Sequence, residues 1–263
     1  MRKVIVTTAG RPDEESFQLA KQISEELHVR YVPRKKRSVA KIGNLYQANV
    51  IVAGKNRFEY YVKGSSTPFF FHPDTAAFRL KRLERGETEP FIESCGLKPG
   101  DSFLDCTLGI GSDAIIASFA VGESGKVVGV EVEPIISYLV RRGLKEYETT
   151  DPVLKQAMER IQVIHAEAVE FLKKQPDRSF DVVYLDPMFE ETIEESNNFE
   201  SLREVGSHHP LTEEWVKEAY RVAKKRVVLK AHFRSTHFED LGFERKVRLT
   251  SKFHYGVLEK INC

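Results

Sequence analysis

The amino-acid sequence predicts an α/β protein with a doubly wound, mostly parallel sheet. Short apolar runs suited to buried strands alternate with segments of helical periodicity from residue 102 onward, an order that produces parallel sheets. In addition, a strand, a turn containing Gly109 and Gly111, and an apolar helix from about Asp113 follow one another directly. This layout brings backbone close to a ligand at a helix N-terminus, because glycine has no Cβ to hold the ligand away.

The bulk composition is that of a soluble globular protein. Its 263 residues are 41% hydrophobic and 30% charged, which is enough apolar material to bury a core. The apolar runs are shorter than a membrane span, and the apolar stretch at the N-terminus is too short for a signal peptide. The 3 cysteines are unclustered and indicate neither a disulfide framework nor a zinc site. We therefore expect a cytoplasmic protein without a bound metal or a membrane partner.

Positive charge is concentrated at the start of the chain. Residues 1–72 contain 13 lysines and arginines against 6 acidic residues, the remainder contains 27 against 33, and the net charge of the chain is +1. Four of the cations are consecutive, at residues 34–37. A basic segment on a near-neutral chain fits a polyanionic partner such as nucleic acid, but it fits a solvated surface equally well.

The first seventy residues have the pattern of a small α/β domain. The predicted elements are a strand, a helix, a second strand and a hairpin, at residues 4–8, 12–27, 29–32 and 49–62. In the hairpin, Tyr60 and Tyr61 lie beside cations and either stack on nucleic acid or pack in the core. We place a domain boundary near Asp74. This divides the chain into a basic domain at 1–73, with a possible role in substrate recognition, and a larger domain at 74–263.

The elements of the larger domain follow in the order of a doubly wound sheet. Its predicted strands, separated by helical segments, are residues 102–106, 126–131, 162–165, 180–185 and 226–230. Two further strands, joined by a turn at residues 250–252, are predicted to form a terminal antiparallel hairpin at residues 243–249 and 253–258.

An acidic residue at the end of the second of these strands points to a nucleoside ligand. Glu131 lies 22 positions after Gly109, and an acid about 20 residues beyond such a turn is placed to bind both ribose hydroxyls. Two nucleoside classes are compatible with this spacing. Dinucleotide sites use Gly-x-Gly-x-x-Gly, in which Ala114 would take the third position. Alternatively, Asp105 before the glycines gives the pattern Asp-x-x-x-Gly-x-Gly.

A second motif, Asp186-Pro187-Met188-Phe189, follows the fourth strand. Ligands of doubly wound sheets meet the loops at the carboxyl ends of the strands. We therefore expect Asp186 to lie near the glycine turn. The alternative is structural: Asp-Pro ends the strand and Phe189 packs in the core.

Both motifs resemble those of class I S-adenosylmethionine-dependent methyltransferases, whose fold is Rossmann-like and whose first and fourth strands are neighbours. Asp105 with the two glycines is similar to their motif I. Asp186 to Phe189 is similar to motif IV of enzymes that methylate exocyclic amino groups of nucleic-acid bases. Within roughly residues 98–260, the chain resembles the bacterial small-subunit ribosomal RNA guanine-N2 methyltransferases and their relatives. The segments that carry this resemblance are residues 104–114, 164–166, 182–189 and 225–230.

The resemblance implies S-adenosylmethionine as cofactor and RNA, most specifically ribosomal guanine, as substrate. An exocyclic amine is a poor nucleophile because its lone pair delocalises into the ring, and acceptors for its N–H groups favour a tetrahedral, reactive nitrogen. The Asp186 carboxylate and the Pro187 carbonyl are the implied acceptors, and Phe189 would stack on the extruded base. The implied cofactor contacts are Asp105, Thr107, Gly109, Gly111, Ser112, Asp113, Glu131, Val132, Glu167, Ala168 and Asp186.

Departures from the family pattern concern the substrate. Ser112 and Val132 stand where the family has basic residues, and residues 190–196 are acidic where the family is basic. Acidic groups beside a base pocket repel phosphates. The alternatives are therefore a small-molecule or protein substrate, a non-catalytic RNA-binding protein with a relic nucleoside pocket, and a nicotinamide dehydrogenase. His208-His209 lacks ligand spacing with any carboxylate or cysteine, which again predicts no metal.

Overall fold

The computed structural model describes residues 3–55, 57–187 and 210–261. These residues form two compact units, which divide after Phe71. The boundary predicted near Asp74 lies within a few residues of this division. That the two units are domains with separate roles stays a prediction.

The first unit contains a four-stranded sheet in the order β2-β1-β3-β4. Strand β1 pairs in parallel with both β2 and β3, and β3 forms an antiparallel hairpin with β4, so the predicted small α/β fold is confirmed. Its elements in chain order are β1 Val4–Thr8, α1 Glu14–Glu26, β2 Arg30–Tyr31, α2 Val39–Tyr46, β3 Asn49–Ala53 and β4 Phe58–Tyr61.

Both helices of this unit begin at a side-chain cap. Asp13 accepts a hydrogen bond from the backbone N–H of Ser16 at 2.8 Å and starts α1. Ser38 accepts from the N–H of Lys41 at 3.2 Å and starts α2. Helix α2 is missing from the sequence-based prediction because its eight residues are too few to show a helical period. Its Ile42 nevertheless joins the buried core of the unit.

The structure decides between core and surface roles for two features of this unit. Tyr60 is buried, and its hydroxyl accepts a hydrogen bond from Asn49 Nδ2 at 2.7 Å. It is therefore a core residue, not a stacking surface. In the basic run, Arg34 donates to the carbonyl of Thr8 at 3.1 Å and fixes the loop. The two lysines that follow it are exposed to solvent.

The second unit contains a seven-stranded sheet in the order β10-β11-β9-β8-β5-β6-β7. Strands β5 to β9 are mutually parallel, and β11 is antiparallel to both of its neighbours. This confirms the predicted doubly wound sheet with its terminal antiparallel hairpin, and the first and fourth strands of the unit are neighbours. The strands are β5 Ser102–Asp105, β6 Lys126–Glu131, β7 Ile161–His165, β8 Phe180–Leu185, β9 Ala223–His232, β10 Glu244–Lys246 and β11 Phe253–Glu259.

Helices cover both faces of this sheet. Trp215 lies in one buried cluster with Leu104 of β5. Phe103, the neighbour of Leu104, points to the opposite face, where its ring and that of Tyr184 lie 5.8 and 5.1 Å from the ring of Phe91. The helices are α3 Asp74–Glu84, α4 Pro90–Cys95, α5 Ser112–Val121, α6 Pro134–Glu146, α7 Pro152–Glu159, α8 Ala168–Lys173, α9 Glu213–Val222 and α10 His237–Asp240.

The glycine turn after β5 is held against the neighbouring strand by Leu108. The side chain of Leu108 is buried over Gly129 of β6, where an added Cβ would lie 2.4 Å from Leu108 Cδ1. The backbone N–H of Leu108 donates to the carbonyl of Val130 at 3.0 Å. Gly109 and Gly111 have φ values of 51° and 82°, a left-handed conformation that favours glycine. The position of the turn therefore depends on the space that Gly129 leaves.

We expect Gly129→Ala to lower the free energy of unfolding by about 1–3 kcal/mol, because the added methyl group forces a buried leucine to move. Urea unfolding followed by circular dichroism measures this change. Gly10→Ala is the control, since nothing lies within 4 Å of a Cβ at that position. Equal stability of the two variants would contradict the packing argument.

Candidate active site

The two sequence motifs meet at the carboxyl ends of β5 and β8. Asp105 ends β5, and Asp186 directly follows β8. Thr107 joins them: its Oγ1 accepts a hydrogen bond from the backbone N–H of Asp186 at 2.8 Å and donates to Asp105 Oδ1 at 3.2 Å. The backbone N–H of Thr107 donates to the same carboxylate oxygen at 2.9 Å. Segments 79 residues apart in the chain thus form one site.

Asp105 is a buried carboxyl group with few donors. It is 2% exposed, and Thr107 is its hydrogen-bond donor within the part of the chain that the structure describes. Burial raises the pKa of Asp105 to about 8, and the neighbouring Asp113 and Asp186 also act in that direction. A cationic ligand beside Asp105 would favour the ionised form and recover this cost.

Glu131 ends β6 and contacts the glycine turn directly. Its two carboxylate oxygens accept hydrogen bonds from the backbone N–H groups of Gly109 at 3.1 Å and Glu133 at 2.9 Å. Burial raises the pKa of Glu131 to about 7. Each oxygen has capacity for a further donor. The residue therefore positions the turn and can also accept hydrogen bonds from the two hydroxyls of a ribose.

Asp113, in the first turn of α5, is the centre of a half-buried ionic network. Its Oδ1 accepts from Arg79 at 2.6 Å, and its Oδ2 accepts from the Tyr184 hydroxyl at 2.8 Å and from Lys230 at 3.2 Å. Burial opposes ionisation, but the charges of Lys230 and Arg79 outweigh it and hold the pKa of Asp113 well below its ordinary value. Arg79 is fixed in turn by Glu89 at 3.0 Å. A cofactor contact of Asp113 stays a prediction.

Lys230 connects this network to Asp186. Its ammonium group lies 2.7 Å from Asp186 Oδ2. Burial raises the pKa of Asp186, Lys230 opposes this effect, and Asp113 adds to it. The Asp186 side chain is 30% exposed, against 12% for that of Asp113. Of Asp113 and Asp186, Asp186 is therefore the carboxylate that remains accessible to a substrate, and Lys230 holds it in place.

Arg79, Tyr184 and Lys230 carry no role in the sequence-based prediction. A cation directly after the apolar run at residues 227–229 is the one available signal for Lys230. Its meaning depends on the parallel register of β8 with β9, which pairs Leu185 with Leu229 and so brings the next residues together. Arg79 gives no comparable signal, because only the tertiary structure brings α3 to the start of α5.

Four other predicted cofactor residues lie where helices begin or a strand ends. Ser112 begins α5 and is half-buried, as is Val132 after β6. Glu167 is the N-cap of α8, with its Oε2 accepting from the N–H of Glu170 at 2.8 Å, and Ala168 is buried in the first turn of that helix. Glu167 thus has a structural role, and its contact with a ligand stays a prediction.

The second motif is described only in part. Pro187 is buried behind Asp186. Met188, Phe189 and the acidic residues 190–196 lie outside the described residues, as does His208-His209. The base-stacking role of Phe189 therefore stays a prediction.

Within residues 3–55, 57–187 and 210–261, no three histidine, cysteine or acidic side chains are grouped so that they could hold a metal ion. In the same ranges, no helix is both long and apolar enough to cross a membrane.

The site fits S-adenosylmethionine, the cofactor that the sequence resemblance implies. Two of its carboxyl groups, Asp105 and Glu131, are buried with incomplete hydrogen bonding and raised pKa values. The ammonium group and the ribose hydroxyls of the cofactor are the kinds of donor that such groups require. Gly109 and Gly111 have no side chains, so the backbone just before α5 is open to a ligand.

We expect the affinity for S-adenosylmethionine to rise from about pH 6 to about pH 7.5. The pKa of Asp105 is about 8, so raising the pH increases its ionised fraction and its attraction for the ammonium group. Asp105→Asn should weaken binding at least about tenfold at pH 7.5 and leave a shallower pH dependence, the remainder belonging to Glu131. Isothermal titration calorimetry measures both effects. Wild-type affinity and pH dependence in the variant would exclude this role for Asp105.

We expect Lys230→Met to raise the pKa of Asp186 further, by about one pH unit or more, because a half-buried carboxyl group would lose its neighbouring cation. Carbon-13 NMR of aspartate-labelled protein measures this pKa, with Asp186→Asn providing the assignment. Lys225→Met is the matched control, since Lys225 lies on the same strand but pairs with Asp101 at 2.6 Å. An Asp186 titration that is the same in both variants would show that Lys230 does not control its ionisation.

Comparisons with known proteins agree with this geometry. The chain is 49% identical over 255 residues to the uncharacterized protein YpiP of Bacillus subtilis, covering 97% of this chain and 99% of that protein. It is 35% identical over 121 residues to a protein of Acinetobacter baumannii named ribosomal RNA small subunit methyltransferase J. That match covers 44% of this chain and 42% of the relative, so the chain spans less than half the length of that protein.

Structure and family comparisons identify the fold and the chemistry. A crystal structure of an S-adenosylmethionine-dependent methyltransferase from Neisseria gonorrhoeae aligns with a TM-score of 0.62 and 18% identity, over 97% of this chain and 95% of that one. This match confirms the class I fold. The family model described as "Putative SAM-dependent methyltransferase" matches residues 64–253. The predicted resemblance, enzyme class and cofactor are therefore confirmed, and the chain belongs to this family of S-adenosylmethionine-dependent methyltransferases.

Proposed function

We propose that this methyltransferase acts on an exocyclic amino group of an RNA base, with guanine N2 of small-subunit ribosomal RNA as its target. The observation that carries the proposal is the position of Asp186. Its backbone is hydrogen-bonded to Thr107 in the glycine turn, its carboxylate is ion-paired to Lys230, and 30% of its side chain is exposed. A carboxylate fixed beside the cofactor turn is what an unreactive amine requires.

The chemistry proposed for the site's own residues is acceptance of hydrogen bonds from the amine. S-adenosylmethionine supplies a methyl group on a positively charged sulfur. Asp186, ion-paired to Lys230, accepts one N–H of the amine, and the Pro187 carbonyl accepts the other. These bonds direct the nitrogen lone pair out of the ring plane. As the nitrogen gains the methyl group it loses a proton, and Asp186, with its raised pKa, lies where it can take that proton.

An RNA substrate is supported by two further observations. The Acinetobacter baumannii relative is named as a ribosomal RNA methyltransferase, although the match spans under half of each chain. In addition, residues 1–72 are rich in cations, which attract phosphates. We therefore also propose that the enzyme works in the cytoplasm, where bacterial ribosomal RNA is found.

We expect the purified enzyme to transfer labelled methyl groups from S-adenosylmethionine to ribosomal RNA from cells that lack the protein. Digestion to nucleosides and mass spectrometry should then show N2-methylguanosine. Asp186→Asn should slow transfer at least about 100-fold, because it removes the charged acceptor at the reacting nitrogen. Its affinity for S-adenosylmethionine should stay within about threefold of wild type.

Asp177→Asn is the control variant, because this carboxylate pairs with Arg221 on the exposed surface. It should retain full activity. Label found in protein or small molecules but not in RNA would overturn the proposed substrate. Full activity of Asp186→Asn would overturn the proposed role of Asp186.

A further inference from the structure

Aromatic and cationic side chains are grouped near Asp186, at the side of the sheet where β8 and β9 end. Strand β9 is parallel to β8, so both end at this edge. Strand β11 is antiparallel to β9 and begins there, with Phe253 paired to His232. The chain continues this pairing beyond β9, as the N–H of Phe233 donates to the carbonyl of Lys252 at 2.8 Å. We call the group formed by His232, Phe233, Arg234, Arg248, Lys252 and Phe253 the aromatic–cationic edge.

The rings of this edge lie close to one another and to Asp186. The ring centroid of His232 is 4.5 Å from that of Phe233 and 6.2 Å from that of Phe253. Phe233 is 38% exposed, so its ring can be reached from solvent. Lys230 Nζ lies 5.7 Å from the Phe253 centroid and 2.7 Å from Asp186 Oδ2. The ammonium group of Lys230 is therefore close both to the ring of Phe253 and to Asp186, the proposed acceptor of the substrate amine.

Two cations of the edge, Arg234 and Arg248, are available for an anionic partner. The Arg234 guanidinium lies 5.2 Å from the ring centroid of Phe233, and that of Arg248 lies 5.3 Å from the ring centroid of Tyr255. Within the described ranges, neither arginine has a carboxylate at ion-pair distance. Residues 230–254 contain 6 lysines and arginines against 3 acidic residues. This local excess is opposite in sign to the net charge of the chain beyond residue 72.

Rings with neighbouring cations are complementary to a single-stranded nucleic acid. Bases stack on aromatic side chains, and cations beside the rings neutralise the phosphates between successive bases. A protein partner of this edge would also have to be acidic, but the position of the rings near Asp186 favours the nucleic acid on which the enzyme is proposed to act. The edge also offers phosphate contacts that residues 190–196, which are acidic, cannot provide.

We propose that the aromatic–cationic edge binds the substrate RNA strand, stacking bases on Phe233 and Phe253 and pairing phosphates with Arg234 and Arg248. The inference rests on the proposed function, because it assumes an RNA substrate. It adds the location of the strand: the base next to the methylated nucleotide lies over the start of β11.

Fluorescence anisotropy with a fluorescein-labelled, single-stranded RNA of about 20 nucleotides tests this proposal. The double variant Arg234→Ser/Arg248→Ser should bind about tenfold more weakly, and the slope of log Kd against log salt should fall by about 1.4 as two phosphate contacts are lost. Phe233→Ala should weaken binding about fivefold or more without changing the salt slope, because stacking involves no ion release. Affinity for S-adenosylmethionine should be unchanged in both variants.

The matched control is Lys98→Ser/Lys174→Ser, which removes the same charge from exposed lysines that precede β5 and β8, at the opposite edge of the sheet. Equal weakening in control and test variants would overturn the proposal, since it would reflect net charge alone. Weakening confined to Lys35→Ser/Lys36→Ser would also overturn it, by placing the RNA on the basic loop of the first unit.

Failure of this inference is distinguishable from failure of the proposed function. If the wild-type enzyme methylates RNA but the edge variants bind RNA like the control, only the inference fails. If the wild-type enzyme neither binds nor methylates RNA, the proposed function fails first.

Discussion

The hydrogen bond from the Asp186 backbone to Thr107 Oγ1 is the contact on which the rest of the site depends. It fastens the end of β8 to the glycine turn after β5, so the cofactor turn and the proposed acceptor cannot move independently. Leu108 presses the same turn against β6, where Gly129 leaves it room. This one short loop therefore fixes the position of Asp186 relative to the glycine turn.

Carboxylates that lie close together at the ends of neighbouring strands repel one another. The cations that offset this repulsion are unevenly distributed among them. Asp113 receives both half-buried cations, Arg79 and Lys230, and is firmly ionised. Asp105 receives neither, and its pKa rises to about 8. Asp113 is the fixed counter-ion of Lys230, which also pairs with Asp186. We propose that Asp105 is left for a cation that arrives with the ligand.

The sequence predicts most of the fold, and it predicts the two motifs of the site, which follow β5 and β8. Both predictions depend on local patterns. Apolar runs of strand length locate β5 to β9, and glycines and acids at strand ends mark the ligand-binding edge. The connections between them are non-local. Lys230 acquires its role from a strand register, and Arg79 acquires its role from the packing of α3 against α5. A short helix such as α2 is missed because eight residues hold too little periodicity.

The conflict between an RNA substrate and the acidic residues 190–196 has a physical resolution within the second unit. The attraction for phosphates need not come from residues 190–196. Cations at the carboxyl ends of the neighbouring strands can also provide it. Strands β9 and β11 bring Arg234 and Arg248 to that edge, beside exposed Phe233. Under the proposed function, these cations would attract the phosphates of an RNA strand toward the start of β11.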